Sequence, residues 1–194
     1  MTNYSNYFYR ISFIFIAIIS LYPSETNSQE FVNPLLIPEL IESDRTDYHL
    51  NVIETKHNFN PLGSDTLNTQ VTTFAFEDAD NPGNSTILGP TIAWQFGNIV
   101  HPRVTNTLDE RTTTHWHGAH VPTYADGGPH QIIQPGATWN PTFTVLDESA
   151  TMWYHPHAMG LTGEHVYKGL AGLFLIEDEV SDSLAIPKTY GVDD

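Results

Sequence analysis

The chain has 194 residues, with 23 acidic against 7 basic side chains and a net charge of −16. Charged residues make up only 15% of it, below the usual level of about 25%, and no cluster of Lys and Arg exists to neutralise phosphates, which excludes nucleic acid as a partner. Cysteine is absent, so disulfides are excluded and stability rests on packing.

Taken in chain order, an apolar stretch from Ile11 to Tyr22 follows Arg10, then Pro23 and a polar segment ending Thr26-Asn27-Ser28 before Gln29. These twelve residues fall short of the roughly 20 that span a bilayer as a helix. They fit the core of an export signal, with small Thr26 and Ser28 at cleavage spacing. Residues 1–28 are therefore expected to direct export to the periplasm or outside the cell, with no stable membrane span. An uncleaved anchor is the competing reading; a core strand is disfavoured because nothing alternates. Arg10 and Glu25 cancel, so loss of this segment leaves the charge unchanged.

Residues 29–46 read as an extended lead-in holding Pro34 and Pro38. Strands are then predicted over 47–54, where Tyr48, Leu50 and Val52 alternate with polar neighbours, and over 71–76, 91–96, 99–106, 112–117, 138–145, 151–155 and 172–177. Turn chemistry separates them at Asn60-Pro61-Leu62-Gly63, Asn81-Pro82-Gly83, Asp126-Gly127-Gly128 and Gln134-Pro135-Gly136. Gly97-Asn98 fits a two-residue hairpin turn between Phe96 and Ile99. Many short strands with few helices predict an all-β sandwich in one domain over 47–180. Asn84-Ser85-Thr86 matches a glycosylation acceptor, relevant only in a host that glycosylates exported proteins.

Two histidine pairs stand out: His115-Trp116-His117 and His155-Pro156-His157. On extended backbone, alternate side chains point to one side with Cα atoms about 6.5 Å apart. That spacing suits imidazoles aimed at neighbouring metal ions. One such pair is an ordinary strand feature; two pairs on two separate strands predict a metal site in which all four rings converge on one edge of the sandwich. Imidazole suits copper and zinc, and copper stands highest in the divalent affinity order. Zinc remains the competitor, although structural zinc sites close with four ligands and often use cysteine. A carboxylate or carbonyl is expected on the second nitrogen of each ring.

The other histidines carry less. His120 and His130 lie close to the pairs in sequence and are expected at the surface rather than at the metal. His49, His57, His101 and His165 show no spacing signal, and Met159 is expected to pack rather than to bind metal.

Thr114-His115-Trp116-His117-Gly118, Ala125-Asp126-Gly127-Gly128-Pro129, Trp153-Tyr154-His155-Pro156-His157, Gly169-Leu170-Ala171-Gly172-Leu173 and the upstream Leu88-Gly89-Pro90-Thr91-Ile92 together resemble the first cupredoxin domain of multicopper oxidases. The resemblance covers roughly residues 45–194 and leans towards the periplasmic copper-tolerance oxidases, with laccases and bilirubin oxidases further off. It implies a cupredoxin-like Greek-key β-sandwich. It also implies that His115 binds a type 2 copper, that His117, His155 and His157 bind a type 3 pair, and that Asp126 helps deliver protons to reduced dioxygen. Asp126 has an equally good reading as a turn residue.

A trinuclear centre of that family takes eight histidines from two domains, and these two pairs supply four. A blue type 1 copper needs a cysteine thiolate, which this chain lacks. Residues 181–194 resemble the start of the linker to a second domain, so the chain is expected to be a truncated product needing a further cupredoxin domain as partner. The resemblance implies an oxidase part that reduces dioxygen; the alternative is a non-catalytic copper-binding or carrier module. Trp116 and Pro156 are expected to lie uncovered where the partner domain docks.

Overall fold

The computed structural model describes residues 35–60 and 70–192. The expected export segment, Pro34 and the Pro61-Leu62-Gly63 turn lie outside the described residues. The described residues form ten strands: β1 Leu40–Ile41, β2 Asp47–Asn58, β3 Gln70–Asp78, β4 Thr91–Gln95, β5 Ile99–Asn106, β6 His115–His117, β7 Thr138–Trp139, β8 Phe143–Thr144, β9 Ala150–His155 and β10 Gly172–Glu177. One sheet runs β1-β4-β10-β9-β6; the other runs β3-β2-β5-β7, with β8 also on β5. The two sheets form the expected β-sandwich.

Side-chain alternation explains the layering. In β2, Tyr48, Leu50 and Val52 are buried while their neighbours are partly exposed, as a strand with one core face requires. The core between the sheets is aromatic. Trp94 packs 4.5 Å from Phe174 and 5.3 Å from Trp116, ring centre to ring centre, and its Nε1 donates to the Tyr48 hydroxyl at 3.1 Å. Tyr154 donates to the Pro90 carbonyl at 2.7 Å. It fits because Gly89 and Gly172 lack side chains: a Cβ on either would stand 2.3 Å from a Tyr154 atom. Burial pushes the hydroxyls of Tyr48 and Tyr154 far above the usual tyrosine range, so both stay neutral donors or acceptors within the core.

Four expectations need correction. The lead-in contains β1, which pairs in parallel with β4. The strand expected over 112–117 begins only at His115, because Thr112 exchanges two backbone hydrogen bonds with Ile133 in a loop instead of joining the sheet. Its β-branched residues fit any half-buried extended surface, so propensity could not name the partner. The strand over 138–145 is two short strands on either side of Asn140-Pro141-Thr142, since proline cannot donate to a ladder. Finally, Gly97-Asn98 is a turn, closed by Asn98 N–H to the Gln95 carbonyl at 3.1 Å, but β4 and β5 belong to different sheets. Local turn chemistry reads four residues and says nothing about which sheet receives the chain.

Among the described residues there are two short α-helices: α1, Thr162–Lys168, ending at left-handed Gly169, and α2, Glu179–Ser183, opened by a capping box between Asp178 and Ser181. Among the described residues no helix is long and apolar enough to cross a membrane.

Candidate metal centre

The site is built on the strand pair at one edge of the first sheet. In antiparallel register His115 faces His155, Trp116 faces Tyr154 and His117 faces Trp153. The pleat sends Trp116 and Tyr154 into the core, both with no exposed surface, and turns His115, His117, Trp153 and His155 to the other side. Pro156 ends β9, and His157 follows it.

All four rings converge. The His115 ring centre lies 5.6 Å from that of His117, 5.5 Å from that of His155 and 5.3 Å from that of His157. Nitrogens of His115, His117 and His155 all lie within 4.8 Å of one another. The His157 ring is 6.2 Å from that of His155 and stands at the margin of this trio. Burial grades across the cluster: His155 is buried, His115 half-buried, His117 and His157 exposed.

For two of the four rings the partner of the second nitrogen, which the sequence leaves unnamed, is a backbone carbonyl. His115 Nδ1 lies 2.8 Å from the Asp126 carbonyl and His155 Nδ1 lies 2.8 Å from the Pro156 carbonyl. Each carbonyl fixes a proton on Nδ1 and leaves the lone pair on Nε2. His117 Nδ1 is 3.0 Å from His155 Nε2, so His117 is the donor of that pair, and holding a metal with that nitrogen would require loss of its proton. The backbone N–H of His157 donates to Thr113 Oγ1 at 2.6 Å, which ties the second motif to the segment preceding the first.

Asp126 occupies the turn position of one of its expected readings and also lies beside His115. It closes a one-turn 3-10 helix, Thr123–Ala125, and its carbonyl also accepts from the Trp116 backbone at 3.3 Å. Its carboxylate Oδ1 lies 3.3 Å from His115 Nδ1. The following Gly127 has φ +71°, and a Cβ there would stand 1.7 Å from the Thr114 carbonyl oxygen. Only glycine lets the Asp126 loop approach the β6 backbone this closely.

Electrostatics favour a metal-ready imidazole at His155. Burial holds the His155 pKa below the ordinary histidine value; His115, His117 and His157 add to this, while the Pro156 carbonyl opposes it. A neutral ring keeps the lone pair that a metal needs. The donor set is all nitrogen, pre-oriented and half-open, and so fits copper; it also fits zinc.

The remaining histidines lie elsewhere. His120 is exposed and hydrogen-bonded to Asp147, which raises its pKa, and His130 is exposed. His49, His57 and His101 bond to Thr105, Thr86 and Thr142. Met159 does not pack as expected, being 75% exposed. His165 carried no signal, yet it is fully buried beside Thr112 and Glu110. Trp116 and Pro156, expected to lie uncovered, are both buried: Trp116 points into this chain's own core.

Sequence and structure comparisons define the class. A family profile described as multicopper oxidase matches residues 80–181. This chain belongs to the multicopper oxidase family. It is 36% identical over 173 residues to the multicopper oxidase mco of Staphylococcus epidermidis, covering 87% of this chain and 35% of that protein. It is 37% identical over 161 residues to the cell division protein FtsP of Escherichia coli, covering 83% and 32%. Among solved structures, the laccase-like multicopper oxidase CueO of Ochrobactrum sp. superposes with TM-score 0.72 at 33% identity, covering 82% of this chain and 33% of that one. The McoA multicopper oxidase of Aquifex aeolicus gives TM-score 0.66 at 30% identity, covering 77% and 31%. The fold is the cupredoxin-like β-sandwich expected, and the chain spans about a third of the length of these relatives.

Proposed function

We propose that residues 47–180 form the first cupredoxin domain of a multicopper oxidase and supply four histidines to a trinuclear copper centre completed by another cupredoxin domain. His115 serves the type 2 copper; His117, His155 and His157 serve the type 3 pair. The observation that carries this reading is the His115, His117 and His155 trio, nitrogens within 4.8 Å, with two rings oriented by carbonyls. Copper bound there supplies the one-electron chemistry through which dioxygen is reduced to water while a substrate is oxidised. The protein's own part is to hold the four rings in place, and Asp126, beside His115, is positioned to pass protons. Residues 1–28 act as the export signal, and residues 181–194 begin the passage to the second domain.

A non-catalytic copper-binding module is the second reading, favoured by the absence of cysteine and by a relative whose name denotes cell division rather than oxidation. One experiment separates the two. The chain is purified with copper, alone and mixed with a cysteine-bearing cupredoxin domain of a related oxidase, and dioxygen uptake with a phenolic donor is measured. Turnover only in the mixture supports the oxidase reading; copper bound without turnover in either sample supports the second. Turnover by the chain alone overturns the half-site assignment.

A further inference from the structure

Trp153 occupies a place that core packing does not explain. It lies on the outer side of β9, the side away from Trp116 and Tyr154, and is only partly buried. A large aromatic side chain normally contributes by filling a core, and on this side its ring neighbours are imidazoles. The indole stacks on His155 at 4.0 Å between ring centres and 30° between planes. It also lies 5.2 Å from the His117 ring, at 33°. One side chain therefore faces two rings from two strands, and those rings touch each other at 3.0 Å.

We propose that Trp153 is a positioning residue of the metal centre, a wall that sets the ring planes of His117 and His155 so that their nitrogens meet at one point. This rests on the copper-centre reading above and deepens it. Two physical effects act together. The wall removes ring orientations that would otherwise have to be ordered on binding, which lowers the entropic cost of coordination. An imidazole that donates its lone pair to a cation also becomes electron-poor, and an electron-rich indole face attracts it more strongly than it attracts the free ring. Trp153 thus favours the metal-loaded ligands over the empty ones without touching the metal.

The test uses the full chain as wild type, Trp153→Phe, Trp153→Ala and a His115→Ala/His155→Ala double variant. Cupric ion is titrated against a coloured chelator, and the carbon-bound ring protons of His117 and His155 are followed by NMR in metal-free protein. In the wild type those protons are displaced by the indole ring current. Trp153→Ala is expected to lose the displacement and to bind copper about tenfold more weakly, with Trp153→Phe recovering most of the loss, because an aromatic contact of this kind is worth about that factor. If Trp153→Ala fails to fold, Trp153→Phe still decides the matter: its ring keeps the wall while its smaller, less electron-rich face predicts a small but measurable loss. A copper site lost in the double variant but unchanged in both Trp153 variants overturns the positioning role alone. Equal affinity in the wild type and the double variant overturns the metal-centre reading, and the role of Trp153 falls with it.

Discussion

The two sides of the β6–β9 pair are one residue apart in sequence and opposite in purpose. Trp116 and Tyr154 have no exposed surface and pack against Trp94, Phe174 and Phe76. His115, His117 and His155, their immediate neighbours, make ring contacts mainly with one another and with Trp153. One side carries the stability of the edge and the other the proposed metal ligands, and the pleat keeps them in fixed register: a slip of one residue would put imidazoles into the core and indole among the proposed ligands. The histidine cluster therefore inherits its precision from the aromatic core behind it.

That separation predicts unequal responses to substitution. The largest effect is expected on the inner side. Trp116→Ala removes a fully buried indole from the middle of the aromatic cluster and should cost about 3–5 kcal/mol of stability in chemical denaturation. Trp116→Phe should cost far less, since the indole Nε1 is buried without a hydrogen-bond partner among the described residues and its loss relieves an unmet polar group. Equal losses for the two variants would show that the core does not discriminate ring from cavity here.

Gly127→Ala tests the link between the two sides. The added Cβ meets the Thr114 carbonyl at 1.7 Å with φ at +71°, so the Asp126 loop must withdraw from β6. Strain of this kind costs of order 1–3 kcal/mol, and the withdrawn loop takes the Asp126 carbonyl away from His115 Nδ1. Stability and copper affinity should fall together, read by denaturation and by metal titration; loss of one without the other would show that the loop does not orient His115.

On the outer side, His115→Ala/His155→Ala should cost less stability than Trp116→Ala, since His115 is partly exposed and only His155 of the two is buried, while abolishing the proposed copper site. Unfolding of this variant would show that the cluster is structural and would break the comparison.

How much of this was legible in the sequence follows from what each signal encodes. The two histidine pairs were readable because a period of two survives in any strand, and the turn at Asp126-Gly127 was readable because its glycine must adopt positive φ. The carbonyl partners of His115 and His155 were not, because a backbone acceptor leaves no mark on residue identity. The same holds for the loop partner of Thr112 and for the switch of sheet after Gly97-Asn98: both are long-range facts expressed in locally ordinary residues. His165 was invisible for a further reason. It sits on a helix of seven residues, too short for an apolar period to reveal its buried side.

His165 supplies the smallest effect and the last prediction. Its ring is fully buried, its Nδ1 lies 3.2 Å from Thr112 Oγ1, and its Nε2 lies 3.5 Å from Glu110 Oε1 without a hydrogen bond. Burial lowers its pKa below the ordinary histidine value; Glu110 and Glu164 pull it back up, Lys168 pushes it further down, and the net shift is downward. The folded chain therefore resists a proton that the unfolded chain accepts from about pH 6.5 downwards. Stability contributed by neutral His165 is full above that pH and is lost as the pH falls towards the lower folded value. His165→Gln keeps a polar head of similar reach and carries no titrating proton, so its stability should decline less than that of the wild type over this window. The difference is limited to about 1.4 kcal/mol for each pH unit crossed, the bound for one proton. His155 shifts in the same direction and His120 in the opposite one, but both are present in both proteins and cancel in the comparison. Denaturation curves taken above and below pH ~6.5 measure it directly. Parallel curves for the two proteins would mean that His165 takes up its proton inside the fold as readily as in the unfolded chain, paired with Glu110, and would overturn the neutral reading of this buried ring.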